Sequence, residues 1–202
     1  MSDKLAIFDF DGTVADSYDL IYHSLCEYTN LHPDKIALKK MPTSQVVNHF
    51  NLSKIDLVKM IFKVRREFSQ NISFLQTFCG LKESLLKLKI SSIKLVLLTS
   101  NSKENVEKFL ISNDMDGIFN RIYSVKTIFG KSRALNKIKD DHKIPEKNIF
   151  YVADETRDII AARKSRINII SVSWGYNHKS ILSKLEPNYL INSPSDICLP
   201  FK

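Results

Sequence analysis

No segment of this sequence approaches the ~18 consecutive apolar residues that a membrane-spanning helix requires. The apolar run Leu5-Ala6-Ile7-Phe8 meets Asp9 too early to be the h-region of a signal peptide. A soluble, cytoplasmic protein with no membrane partner is therefore expected. Cysteine is scarce. Cys26, Cys79 and Cys198 are widely spaced, form no C-x-x-C pair and have no histidine at metal-ligand spacing. This argues against a disulfide framework or a zinc site and predicts reduced, mostly buried thiols. The histidines at 23, 32, 49, 142 and 178 do not cluster either, and are expected at the surface or partly packed. Long basic runs are lacking as well. Lys and Arg total 30 against 22 Asp and Glu, a net charge of +8. These charges are dispersed, without aromatic interleaving, which argues against nucleic acid as a partner. The positive field still attracts small anions. Nothing in the sequence specifies an oligomeric state.

What is present is a set of short apolar runs. The chain of 202 residues, 44% hydrophobic, suffices for one domain or a domain with a modest insert. Residues 5–10 form a continuous apolar run without polar alternation, the pattern of a strand buried on both faces of a parallel sheet. Similar runs lie at 94–99, 148–153 and 167–172, with weaker ones at 121–125 and 189–191. Helical patterns fall between them: Val106, Phe109 and Leu110 after Ser102; Leu135 and Ile138 after Gly130; Ile159, Ile160 and Ala162 after Thr156. Strands alternating with helices predict a doubly wound α/β fold, a Rossmann-like three-layer core around a parallel sheet.

The alternation breaks between about 16 and 77. Leu20, Ile21, Ser24, Leu25 and Tyr28 make one stripe at helical spacing, and Val58, Ile61, Phe62 and Phe68 make another, with Pro33 and Pro42 between. The expected organisation is a core of 1–15 and 80–202 with a helical unit of 16–79 inserted after the first strand. Asp16-Ser17 is placed to cap the first inserted helix.

The chemistry concentrates at strand ends, where open parallel sheets bind ligands. Asp9 and Asp11 close the first run and Gly12-Thr13 follow. Two residues apart, the carboxylates would point the same way if the strand continued through them. A lone Asp-Gly is an ordinary turn signal; an apolar strand running into D-x-D-G-T is a stronger one.

Asp9-Phe10-Asp11-Gly12-Thr13-Val14, with Asp16-Ser17 beyond, resembles motif I of the haloacid dehalogenase superfamily, most closely its phosphoglycolate-phosphatase-like branch. Further landmarks keep the family's order. Leu97-Leu98-Thr99-Ser100-Asn101 resembles motif II, Gly130-Lys131-Ser132 motif III, and Val152-Ala153-Asp154-Glu155-Thr156-Arg157-Asp158 the acidic motif IV. Val172-Ser173-Trp174-Gly175-Tyr176 is similar to a segment common in the branch, and Ala153 stands where many relatives have Gly.

The resemblance implies a phosphatase acting on a small phosphorylated metabolite, phosphoglycolate being one candidate, with Asp9 as covalent nucleophile. It implies Mg²⁺ held by the Asp9 carboxylate, the Asp11 backbone carbonyl and the Asp154 carboxylate, with Asp158 supporting that shell. Each role fits the residue type. A phosphomonoester dianion repels a carboxylate nucleophile unless a hard cation offsets the charge. Thr99 can donate its hydroxyl to the phosphate, Ser100 and Asn101 can offer backbone N–H groups at the start of the next helix, and Lys131 supplies positive charge. A carboxyl group at Asp11 suits acid–base work on the leaving alcohol and on water. The superfamily's dehalogenases lack that acid, so its presence points to phosphatase or phosphomutase chemistry. A phosphomutase of the same superfamily and a non-catalytic phosphate-binding regulator are the alternatives. The inserted helices would form a cap, and Lys39, Lys40, Arg65 and Arg66 within it are candidate contacts for an anionic substrate.

Overall fold

The computed structural model describes residues 4–125 and 130–201. Six strands form one parallel sheet: β1 (Leu5–Asp9), β2 (Lys94–Thr99), β3 (Arg121–Ser124), β4 (Ile149–Ala153), β5 (Asn168–Val172) and β6 (Tyr189–Ile191), in the spatial order β3-β2-β1-β4-β5-β6. The helices are α1 (Tyr18–Thr29), α2 (Lys35–Lys39), α3 (Thr43–His49), α4 (Lys54–Asn71), α5 (Leu81–Ile90), α6 (Lys103–Ser112), α7 (Lys131–His142), α8 (Thr156–Lys164) and α9 (Lys179–Leu182). All six expected strands form, within a residue of the expected bounds at each end. The Rossmann-like three-layer α/β architecture follows.

The continuous apolar runs are explained by burial on two sides. Along β1, Ala6 and Phe8 pack into one cluster with Leu95, Leu97, Val106 and Phe109. Leu5 and Ile7 point the other way, into a cluster with Val96, Leu98, Leu135, Ile138 and Ile159. The strand alternates, but both of its faces are core. α5 and α6 cover one face, and α7 and α8 the other.

Strand order reverses at β1: the chain moves outward through β2 and β3, then returns to the other side as β4. The crevice between the carboxyl ends of β1 and β4 is the switch point where such sheets bind ligands. Parallel register pairs Phe8 with Val152 there, so Asp9 and Asp154 lie just past the last paired residues.

Five α-helices lie between β1 and β2: α5 packs on the sheet, and α1 to α4 precede it as one helical segment. The two crossings of the chain into and out of this segment run side by side. Asp16 donates its N–H to the Gln76 carbonyl (2.9 Å), and Thr77 Oγ1 donates to the Val14 carbonyl (2.8 Å). Phe68 and Ile72, at the end of α4 and just beyond it, join the cluster containing Phe10.

Three details differ from expectation. The stripe on α4 is only partly inward: Phe68 is buried, whereas Val58 and Phe62 are exposed, because α4 covers the core only with its C-terminal end. Ile160 on α8 is likewise exposed beside buried Ile159 and Ala162. Of the cysteines, none of which forms a disulfide, only Cys26 is buried; Cys79 is exposed and Cys198 half-buried.

Phe10 joins the inserted helices to the sheet. Its ring is fully buried and meets Phe109 (centroids 5.0 Å apart) and Phe68 (6.4 Å) edge-on. Phe10→Ala should cost about 3–5 kcal/mol, read as a lower urea midpoint. A loss below 1 kcal/mol would show that this junction is not packed as described.

Candidate active site

Asp9 ends β1, Asp154 follows β4, Asp158 sits in the first turn of α8 and Lys131 opens α7. All four are buried. Lys131 Nζ lies 2.6 Å from Asp9 Oδ2 and 2.7 Å from Asp158 Oδ1. Asp9, Asp154 and Asp158 each offer an oxygen within 4.8 Å of the others. Asp158 Oδ1 also accepts from Tyr151 Oη (3.2 Å), while Asp158 Oδ2 is buried without a partner. Two of the three carboxylates thus share a single ammonium. An unpartnered buried carboxylate oxygen is costly, and a small hard cation is the ligand that a set of carboxylate oxygens suits. The residues present fit a divalent metal ion.

Asp154 is fixed on both oxygens. Oδ1 accepts from Thr13 Oγ1 (2.8 Å) and Oδ2 from the Tyr176 N–H (2.7 Å). This accounts for two of the chain's five glycines. A Cβ on Gly175 would stand 2.3 Å from both Asp154 Oδ2 and the Gly12 carbonyl oxygen. A Cβ on Gly12, whose φ is +74°, would also stand 2.3 Å from Asp154 Oδ2.

Asp11 reaches the site by a route the strand pattern does not anticipate. β1 stops at Asp9, and the chain turns, with the Val14 and Ala15 N–H groups both donating to the Phe10 carbonyl. Asp11 Oδ2 accepts from Asn101 Nδ2 (2.7 Å) and Oδ1 from Ser17 Oγ (3.3 Å), which in turn pairs with Tyr176 Oη (2.8 Å). Ser17 does occupy the N-cap position of α1, but its hydroxyl makes no capping bond; it is engaged by Asp11 and Tyr176 instead. Asn101 also differs from expectation. Its backbone N–H donates to Thr99 Oγ1 (2.9 Å) rather than facing an anion, and its side chain holds Asp11. The following helix starts only at Lys103, capped by Ser102, which accepts from the Asn105 N–H. Thr99 is fully buried at the end of β2, and half-buried Ser100 lies in the turn beyond. Among the basic residues of the insert, Lys39 donates to the Gly175 carbonyl (2.8 Å), whereas Lys40, Arg65 and Arg66 are exposed.

Thr13, Ser17, Tyr151 and Tyr176 therefore belong to the site although the sequence pattern assigned them no part in it. For Tyr176 the available signals were the family-like segment 172–176 and the scarcity of glycine, since Gly175 beside it is one of five.

Burial dominates the electrostatics. It pushes the Asp9 carboxyl up to about 6, against the lowering effect of Lys131. Burial and then the neighbouring Asp9 push Asp11 up to about 7. Asp154 is raised well above the carboxylate range by burial and by Glu155. For Lys131, burial alone would lower the ammonium, but Asp158 and Asp9 outweigh it and hold it above its ordinary value.

A parallel sheet of this order, with a buried carboxylate–lysine cluster at its switch point, defines a Rossmann-like α/β protein with a candidate ligand site between β1 and β4. The family model for haloacid dehalogenase-like hydrolases matches residues 6–172, and the chain belongs to that family. It is 30% identical over 202 residues to the phosphoglycolate phosphatase of Synechococcus elongatus, covering 95% of this chain and 93% of that one. It is 22% identical to pyrophosphatase PpaX of Bacillus mycoides, covering 98% and 96%. The haloacid dehalogenase-like protein SP0104 of Streptococcus pneumoniae superposes over the full length of both chains with a TM-score of 0.82 at 21% identity. CbbY of Rhodobacter sphaeroides, solved in complex with phosphate, superposes over 96% of both with a TM-score of 0.72 at 15% identity.

The raised carboxyl groups carry a sign. A carboxyl that binds its proton more tightly folded than unfolded contributes stability that is full below about pH 4 and is lost as pH rises through the folded value. With Asp9 near 6 and Asp11 near 7, the metal-free protein should melt at a lower temperature at pH 8 than at pH 5. Thermal unfolding in chelator tests this; a midpoint that rises across the interval would contradict the assignment of these carboxylates as buried.

Proposed function

We propose that the chain is a Mg²⁺-dependent phosphatase that hydrolyses small phosphomonoesters through an aspartyl-phosphate on Asp9. The observation that carries this reading is the buried Asp9–Lys131–Asp158 arrangement beside Asp154, with Asp158 Oδ2 unpartnered. The family membership and the phosphatases among the relatives support it. Asp9, the Asp11 carbonyl and Asp154 would hold Mg²⁺, with Asp158 beside them; bound there, the ion offsets the charge of the phosphate dianion.

The protein's own groups account for the rest. An Asp9 carboxylate oxygen attacks phosphorus, and the bond from phosphorus to the ester oxygen breaks. The Asp11 carboxyl gives its proton to the departing alkoxide, so the alcohol leaves neutral. Water then attacks the phosphorus of the aspartyl-phosphate, Asp11 takes the proton, and inorganic phosphate departs with Asp9 restored. Lys131 neutralises Asp9 and the transferred oxygens. The Thr99 hydroxyl and the Ser100 N–H contact the phosphate, and Asn101 and Ser17 orient Asp11. Residues 16–79 act as a cap on a core of 1–15 and 80–202, with the paired crossings near 16 and 76 as its hinge. Phosphoglycolate, the substrate named for the Synechococcus relative, is one candidate ester.

Asp9→Asn should reduce Mg²⁺-dependent phosphate release from 4-nitrophenyl phosphate by on the order of 10³ or more; undiminished release would remove the nucleophile from Asp9. Asp11→Asn should slow kcat/KM about 10²–10⁴-fold for alkyl phosphates, whose leaving groups need protonation. It should slow aryl phosphates distinctly less. Equal losses on both would mean that Asp11 does not act as the acid.

A further inference from the structure

The inserted helices do not fill their own interior. Between them lies a cavity of about 190 Å³ whose body is apolar, lined by Leu25, Val47, Phe50 and Met60 among others. Phe50 is buried, but Leu25, Val47 and Met60 remain half-exposed around the space. Packed protein interiors rarely tolerate voids larger than a water molecule. An apolar cavity of roughly 150 Å³ stays dry and admits benzene. The vacancy is thus large enough for an apolar group of roughly six to eight carbons.

One end of the cavity is polar and belongs to the core: Glu155, Arg157, Tyr176 and Asn177. These residues adjoin the candidate active site by two routes. Glu155 and Arg157 flank Asp154 and Asp158 in the turn into α8. Tyr176 donates its backbone N–H to Asp154 and reaches Asp11 through Ser17. The charges at this end are already matched. Arg157 Nε donates to Glu155 Oε1 (2.9 Å), and Glu155 also accepts from Thr43 of α3. Asn177 donates to the Met41 carbonyl (3.1 Å) and accepts from the Thr156 N–H (2.9 Å). Among the described lining residues no unpaired cation remains to receive an anionic substituent.

We propose that this cavity receives the alcohol portion of the substrate, and that the preferred ester carries an uncharged alkyl or aryl group rather than a second acidic group. The inference rests on the phosphatase reading for its chemistry, but its selectivity can be measured without turnover. The phosphoryl group sits at Asp9, and the apolar group extends past Tyr176 between α1, α3 and α4. Each buried methylene then strengthens binding about fourfold until the cavity is full.

The test compares methyl, butyl, hexyl and phenyl phosphate with phosphoglycolate, using kcat/KM for the wild type in Mg²⁺. It also compares the affinities of methyl- and hexylphosphonate for the Asp9→Asn protein. Both series should rise with chain length, and hexyl or phenyl phosphate should exceed phosphoglycolate. Val47→Trp, which fills the cavity, should lower the hexyl-to-methyl ratio at least about tenfold; Val64 of α4 also lines the cavity, and Val64→Phe serves the same purpose if that variant does not fold. Chain-length-dependent phosphonate binding without hydrolysis of any ester would uphold the cavity assignment and overturn the phosphatase reading. A flat or falling series, a preference for phosphoglycolate, or a ratio unmoved in a folded filled variant would overturn the cavity assignment.

Discussion

The site is organised by one ammonium shared between two buried carboxylates. Lys131 contacts Asp9 and Asp158 from a position that is itself almost inaccessible to water. Ion pairs so deep are expensive to desolvate, and they persist only where geometry compensates. Here the compensation is incomplete, because Asp154 adds a third carboxylate and Asp158 Oδ2 has no partner. An excess of buried negative charge is poorly suited to stability and well suited to binding a cation. The sheet makes the arrangement possible by bringing the ends of β1 and β4, distant in sequence, to adjacent positions at the strand-order reversal.

A second layer of contacts surrounds that centre and spends backbone freedom to do so. Gly12 and Gly175 let the main chain approach the Asp154 carboxylate more closely than any side chain would allow. Ser17 gives up a helix cap, a contribution of about 1 kcal/mol elsewhere, to contact Asp11 and Tyr176. The same tyrosine touches Tyr18 of α1 edge-on (5.6 Å between centroids) and lines the cavity among the inserted helices. Asp154, through the Tyr176 N–H, Asp11, through Ser17, and the candidate substrate cavity therefore meet at one residue.

Much of this was legible before folding was considered. The buried strands stand out because both of their faces are core, so apolar runs meet carboxylates abruptly at Asp9 and Asp154. Lys131 could be recognised only through its Gly-Lys-Ser context, since an isolated lysine is usually solvated. Local patterns misled where tertiary structure redirects a side chain. Ser17 reads as a cap and Asn101 as a backbone donor, yet both turn toward Asp11. Periodicity on α4 overstated burial at Val58 and Phe62 because only the end of that helix meets the core. The cavity had no local signature at all: the same apolar stripes would describe a packed bundle.

Asp9 is the residue proposed to carry the phosphoryl group. Acid quenching during steady-state turnover of phenyl phosphate, followed by peptide mapping by mass spectrometry, tests it most directly. The expected result is a phosphoryl group on Asp9, absent in the Asp9→Asn protein. A phosphoryl group on any other residue, or turnover with no phosphorylated protein, would contradict it.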